Sequence, residues 1–147
     1  MSTRTDLENA LKQAMREHDE LRKRVVRLAL ANIKQTEIDK GAALDEAGVV
    51  AILQKEVKSR HESIADAERA NRAELAEESK AEIRVLEDFL PKQMTAAELE
   101  ELARQAIAET GATSQREMGQ VMKALMPRVQ GRATGDQVSQ AVRRLLG

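Results

Sequence analysis

Apolar side chains recur along this chain at the three-and-four spacing that puts them on one face of a helix, and nowhere at the alternation that marks a strand. Leu7, Leu11 and Met15 begin the series, and Leu21, Val25, Leu28 and Ile33 carry it from about Asp19 to Lys40. Gly41 then supplies a residue able to take the left-handed conformation at a helix end. Asp45 is placed to cap a third helix bearing Val49, Leu53, Val57 and Ile64. A fourth, with Leu75, Ile83 and Leu86, must stop near Leu90, because Pro91 restricts the residue before it and has no N–H for the ladder.

Beyond Pro91 the pattern restarts in shorter pieces. Thr95 with Glu98 has the spacing of a capping box, as do Thr5 with Glu8 and Ser114 with Glu117. Leu99, Leu102, Ala106 and Ile107 make the fifth stripe, closed by Gly111; Met118, Val121, Met122 and Leu125 make the sixth, with Pro127 as its stop. Thr134 or Asp136 opens a seventh helix bearing Val138, Val142 and Leu145. The expectation is an all-α protein: an N-terminal four-helix unit over residues 1–90 and a three-helix C-terminal unit over 91–147. Helices this short are marginal alone, so the last three must bury their stripes on one another.

Composition sharpens this picture. The chain has one Phe, no Tyr or Trp and only two prolines, with 33% of its positions charged, a mixture that favours helix over sheet. No cysteine is present, which removes thiolate chemistry, zinc–thiolate sites and disulfides. No apolar run approaches the roughly 20 residues that span a bilayer, so a cytoplasmic protein that does not enter the membrane is expected. Phe89, beside the break, reads as a core plug anchoring the linker.

Charge is unevenly spread. The whole chain carries a net −1, yet residues 110–147 hold six basic and two acidic side chains. A basic end on an acidic body suits contact with a polyanion, and equally an ordinary solvated surface. Arg22, Lys23, Arg24 and Arg27 form a second basic group that does not share one narrow helical face and reads as solvated surface. Glu74, Glu77 and Glu78 read the same way. Met118, Met122 and Met126, at helical spacing, read as core.

Catalytic chemistry finds little purchase. His18 and His61 fall in different helices without a metal-binding spacing, and no glycine-rich phosphate loop is present. No catalytic residue, metal or cofactor is expected.

Several runs resemble the GatB/YqeY family. They are Leu90-Pro91-Lys92-Gln93-Met94-Thr95, Met118-Gly119-Gln120-Val121-Met122-Lys123, Leu125-Met126-Pro127-Arg128-Val129 and Gly131-Arg132-Ala133, joined upstream by Arg27-Leu28, Ile38-Asp39-Lys40 and Leu53-Gln54-Lys55-Glu56-Val57-Lys58. Members resemble the tail of the B subunit of aspartyl/glutamyl-tRNA amidotransferase, a carbon–nitrogen ligase that takes its nitrogen from glutamine. The resemblance implies a helical module that rests on the outer corner of tRNA rather than on the reacting end. Gly119, Val121, Met122 and Lys123 match that tail's Gly-x-Val-Met-Lys step, and Gly131, Arg132 and Ala133 its Gly-Lys-Ala step. Thr134 departs from the aspartate usual in YqeY relatives, though both cap helices well. The amidase signature of the A subunit is absent.

Lys123, Arg128, Gly131 and Arg132 are therefore the candidate RNA-binding residues. Gly131 serves either as a turn residue needing positive φ or, with the following helix start, as a phosphate cradle. Without aromatic platforms, contact with RNA would run through backbone and shape. Three readings follow: a non-catalytic accessory binding tRNA or an amidotransferase or other translation-related protein, a helical protein-interaction module with no nucleic-acid role, and a component of the ligase itself.

Overall fold

The computed structural model describes residues 2–147, and every regular element among them is helical. α1 is Thr3–Glu17, α2 Glu20–Lys40, α3 Glu46–Arg69, α4 Ala73–Glu87, α5 Ala96–Thr110, α6 Met118–Val129 and α7 Gly135–Leu146. The chain divides after Leu90 into two compact units. None of the helices is long and apolar enough to cross a membrane.

Helix ends follow local chemistry. Asp19 accepts from the Arg22 N–H, Asp45 from Gly48 and Thr95 from Glu98, each satisfying a donor that the first turn leaves without a partner. Thr95–Glu98 and Thr134–Gln137 are reciprocal capping boxes, so Thr134 rather than Asp136 opens the last helix. Gly41 and Gly111 close α2 and α5 at φ 68 and 71.

Three expected signals act differently. α1 starts at Thr3, with Ser2 as its cap accepting from the Thr5 N–H, so the Thr5–Glu8 box does not form. Ser114 makes no capping bond, and Glu117 instead accepts from the N–H and hydroxyl of Thr113 at 3.3 and 3.2 Å. A single 3-10 turn, Gln115–Glu117, leads into α6. Pro127 lies inside α6, which runs on to Val129. The proline deprives only the Lys123 carbonyl of a donor, and both residues lie on the exposed face where water replaces it.

In the first unit α1 packs along α2 and α3 along α4, with α2 also meeting α3 and α4. The main core joins Leu7, Val25, Val26, Ala29, Ile33, Val49, Leu53, Val85 and Leu86. Phe89 packs on its edge with the Arg22 guanidinium 5.1 Å from the ring centre, a cation–π contact. A smaller cluster of Ile64, Ala67, Ala76 and Ile83 holds the far end of the α3–α4 hairpin. Met15, Leu28 and Leu75 stay exposed, and their neighbours Ala14, Ala29 and Ala76 are buried instead. The helices approach on small residues, which turns each buried face one position from the stripe of large ones.

Between the two clusters α3 buries charge. Glu56 is 8% exposed and Arg60 lies 3.5 Å from it, while Arg60 also approaches Glu82 at 3.8 Å. Among the described residues no donor reaches either Glu56 carboxylate oxygen in good hydrogen-bond geometry, Asn32 and Arg60 being the donors that come near, and Arg60 Nε has no acceptor. Burial pushes the Glu56 carboxyl above its ordinary range, against the opposing pull of Arg60 and of the nearby Asn32 amide.

In the second unit α5, α6 and α7 pack pairwise around Leu99, Ala103, Ala106, Val121, Leu125, Val129, Val138 and Val142. Met118 and Met122 sit against this core, but Met126 is 38% exposed. The segment before α5 is clasped to the turn after α6: the Met94 N–H donates to the Arg132 carbonyl at 2.8 Å, and Arg132 Nε donates to the Lys92 carbonyl at 2.9 Å.

Candidate nucleic-acid interface

The four residues singled out from sequence lie on α6 and the turn that follows it. Lys123 is exposed in the middle of α6 and enters no ion pair among the described residues. Arg128, five positions on and so about 140° round the helix, crosses to Glu109 on α5. That hydrogen bond holds the Glu109 carboxyl below its ordinary range.

Gly131 has φ 75 and follows Gln130 at φ 53, so the turn out of α6 uses two consecutive left-handed residues. Arg132 then turns inward to the Lys92 carbonyl and to Glu98 at 3.1 Å. The partners of Arg128 and Arg132 stand eleven residues apart on α5, about 16 Å along its axis. The fold thus uses these two arginines as separate clasps and leaves Lys123 projecting away from both.

A different distribution of free charge emerges. Each acidic side chain of residues 91–147 is engaged: Glu98 with Arg132, Glu100 and Glu101 with Arg104, Glu109 with Arg128, Glu117 with Thr113, and Asp136 with a partner of its own. Lys92, Arg116, Lys123, Arg143 and Arg144 enter no ion pair among the described residues. Arg116 lies in the 3-10 turn before α6 and Lys123 in the second turn of α6, and Gly119 and Gln120 between them in sequence are exposed. A Cβ added at Gly119 would meet nothing within 4 Å, so no packing demand accounts for a glycine there. The start of α6 has no side-chain cap. Arg143 and Arg144 lie exposed in the last turn of α7, where they also oppose its dipole.

Residues 4–146 match the sequence profile described as Yqey-like protein. The chain belongs to the YqeY family. Among curated proteins it is similar to "Altered inheritance of mitochondria protein 41, mitochondrial" from three yeasts. The Lachancea thermotolerans protein is 35% identical over 96 residues, 65% of this chain and 51% of the relative. The Vanderwaltozyma polyspora protein is 36% identical over 85 residues, 57% and 46% of the two chains. The Kluyveromyces lactis protein is 38% identical over 84 residues, 56% and 45%. The chain spans about half the length of these relatives, whose names place them in mitochondria.

The electrostatic candidates Arg116, Arg143 and Arg144 escaped residue-by-residue reading because a sequence does not show which cations a fold pairs internally. Gly119 was legible only as part of a family step. The buried Glu56–Arg60 pair did leave a signal: positions 49, 53, 56, 60, 64 and 67 form one helical stripe, and charges occupy two of its slots. His18 caps the end of α1 at φ 57 and His61 is exposed on α3. No group of three or more histidine or acidic side chains placed to hold a metal occurs among the described residues.

Proposed function

We propose that this chain is a non-catalytic, cytoplasmic accessory that binds tRNA through phosphates, using its C-terminal unit as an independent domain related to the amidotransferase tail. The observation that carries the reading is the asymmetry of that unit. Its acids are all engaged while five of its cations are not. Arg116 and Lys123 stand on either side of the exposed Gly119 in sequence at the α6 N-terminus, whose dipole favours an anion. Phosphate contacts position a nucleic acid without reading it, so binding is weak and sequence-tolerant. Arg128 and Arg132 meet a phosphate only by sharing or releasing Glu109 and Glu98, and Gly131 supplies the left-handed turn between them.

The test is titration of fluorescein-labelled bulk tRNA with wild type and with Lys123→Glu, Arg116→Glu and Arg27→Glu proteins over a range of salt concentrations. Reversing Lys123 or Arg116 should weaken binding to all tRNAs alike and lower the salt slope by about 1 each. Arg27→Glu, in the other unit, should change nothing. Equal affinity for wild type and Lys123→Glu, or affinity indifferent to salt, removes the nucleic-acid reading. Arg132→Glu is the poorer probe because it also breaks the clasp on Lys92 and Glu98.

A further inference from the structure

In the first unit, α2 turns one face to the core and another to solvent. Val25, Val26, Ala29 and Ile33 are buried. Arg24, Arg27, Leu28, Ala31, Lys34 and Ile38 are all exposed and fall within an arc of about 120° at 100° per residue. Leu28 is 47% and Ile38 62% exposed, large aliphatic side chains left in water on a helix whose other side has its full share of core. A shallow depression of about 450 Å³ along the first half of α2 is lined by Glu20, Lys23, Arg24, Arg27, Leu28 and Ala31, and its one acid, Glu20, is held by Lys23 at 3.7 Å, so the face stays basic. Arg27 and Lys34 enter no ion pair among the described residues, and Arg24 only shares Glu78 and Glu82 at 3.3 and 3.9 Å.

We propose that this face of α2 docks an acidic amphipathic helix of a partner protein. Leu28 and Ile38 stand ten residues apart, about 15 Å along the axis, with the small Ala31 between them. A partner helix with apolar residues spread over about three turns covers that stripe, and carboxylates on its flanks meet Arg27 and Lys34.

Other occupants fit less well. A second copy of this chain, paired antiparallel about Ala31, brings Arg27 of one copy towards Lys34 of the other, cation against cation. An anionic membrane finds no Trp or Tyr anywhere in residues 1–90 to seat at the lipid interface. Nucleic acid gives Leu28 and Ile38 nothing to bury against. A patch of one helix face is at the small end of specific interfaces, so the contact is weak and exchangeable.

The test uses the full chain and two synthetic 18-residue helical peptides with the same leucine stripe, one flanked by glutamates and one by lysines, read by fluorescence anisotropy. The glutamate peptide should bind, more tightly at low salt, and the lysine peptide should not. Leu28→Glu should weaken binding at least about tenfold, as should Arg27→Glu combined with Lys34→Glu, with circular dichroism showing the helices intact. Leu75→Glu, at an exposed leucine on α4, is the control and should bind as wild type. No binding of the glutamate peptide, equal binding of both, or indifference to Leu28→Glu overturns the proposal. So does an effect of Leu28→Glu on self-association by light scattering, on binding of phosphatidylserine vesicles, or on tRNA affinity, each of which assigns the face to a different occupant.

Discussion

Replacing Glu56 with Gln should leave the first unit as stable as the parent or more stable at neutral pH. The carboxylate is almost wholly out of water, neither oxygen is met by a donor in good geometry, and its counter-ion stands 3.5 Å away. At an effective dielectric of about 20 that separation is worth roughly 5 kcal/mol of attraction. Removing two ions from water costs several kcal/mol each, and each unsatisfied buried acceptor a further ~1–3 kcal/mol. Desolvation outweighs the attraction, which is the sense in which the Glu56 carboxyl is shifted.

The sign with pH follows. A carboxyl whose folded-state pKa is raised binds its proton more readily in the native chain. Its contribution to stability is whole below the ordinary carboxyl value and is lost as pH rises through the folded-state value. Glu56→Gln, fixed in the neutral form, removes that decline and is the more stable protein above the window. In Glu56→Gln the Arg60 guanidinium keeps Glu82 at 3.8 Å as its counter-ion, whereas Arg60→Met leaves the Glu56 carboxylate with none and should cost ~3 kcal/mol at neutral pH, less in acid. Hydrogen exchange of the Leu53 and Val57 amides at pH 5 and 7 measures this for the first unit apart from the second. A clear loss of stability in Glu56→Gln at pH 7 would refute the argument, since the ion pair would then be net stabilising.

Two further outcomes are expected. Leu125→Ala opens a cavity at a fully buried site of the second core and should cost ~2.7–5 kcal/mol by urea denaturation of that unit. Gln130→Gly relieves a non-glycine residue at φ 53 and should raise the melting temperature of the same unit, by up to ~1 kcal/mol of added stability.

Seven helices, their order and the break at Pro91 were legible because each depends on neighbours in sequence: a periodic stripe, a capping side chain, a proline. Even so, which signal acts is settled by competition. Ser2 displaced Thr5 as the first cap because it starts the helix earlier, and Pro127 failed to stop α6 because the one carbonyl it leaves bare faces water. Which side of each stripe would be buried was not local. Ala14, Ala29 and Ala76 went inside and Met15, Leu28 and Leu75 stayed out, since close approach between helices selects small residues and only the partner helix defines where that approach falls. The candidate site divides in the same way. Lys123 could be named from its position on a helix, whereas the fate of Arg128 and Arg132 rested on Glu109, nineteen residues away, and Glu98, thirty-four away. Charge is a property of the residue and is fixed by sequence; whether that charge is free is a property of distance, and tertiary packing alone sets distances between residues far apart in the chain.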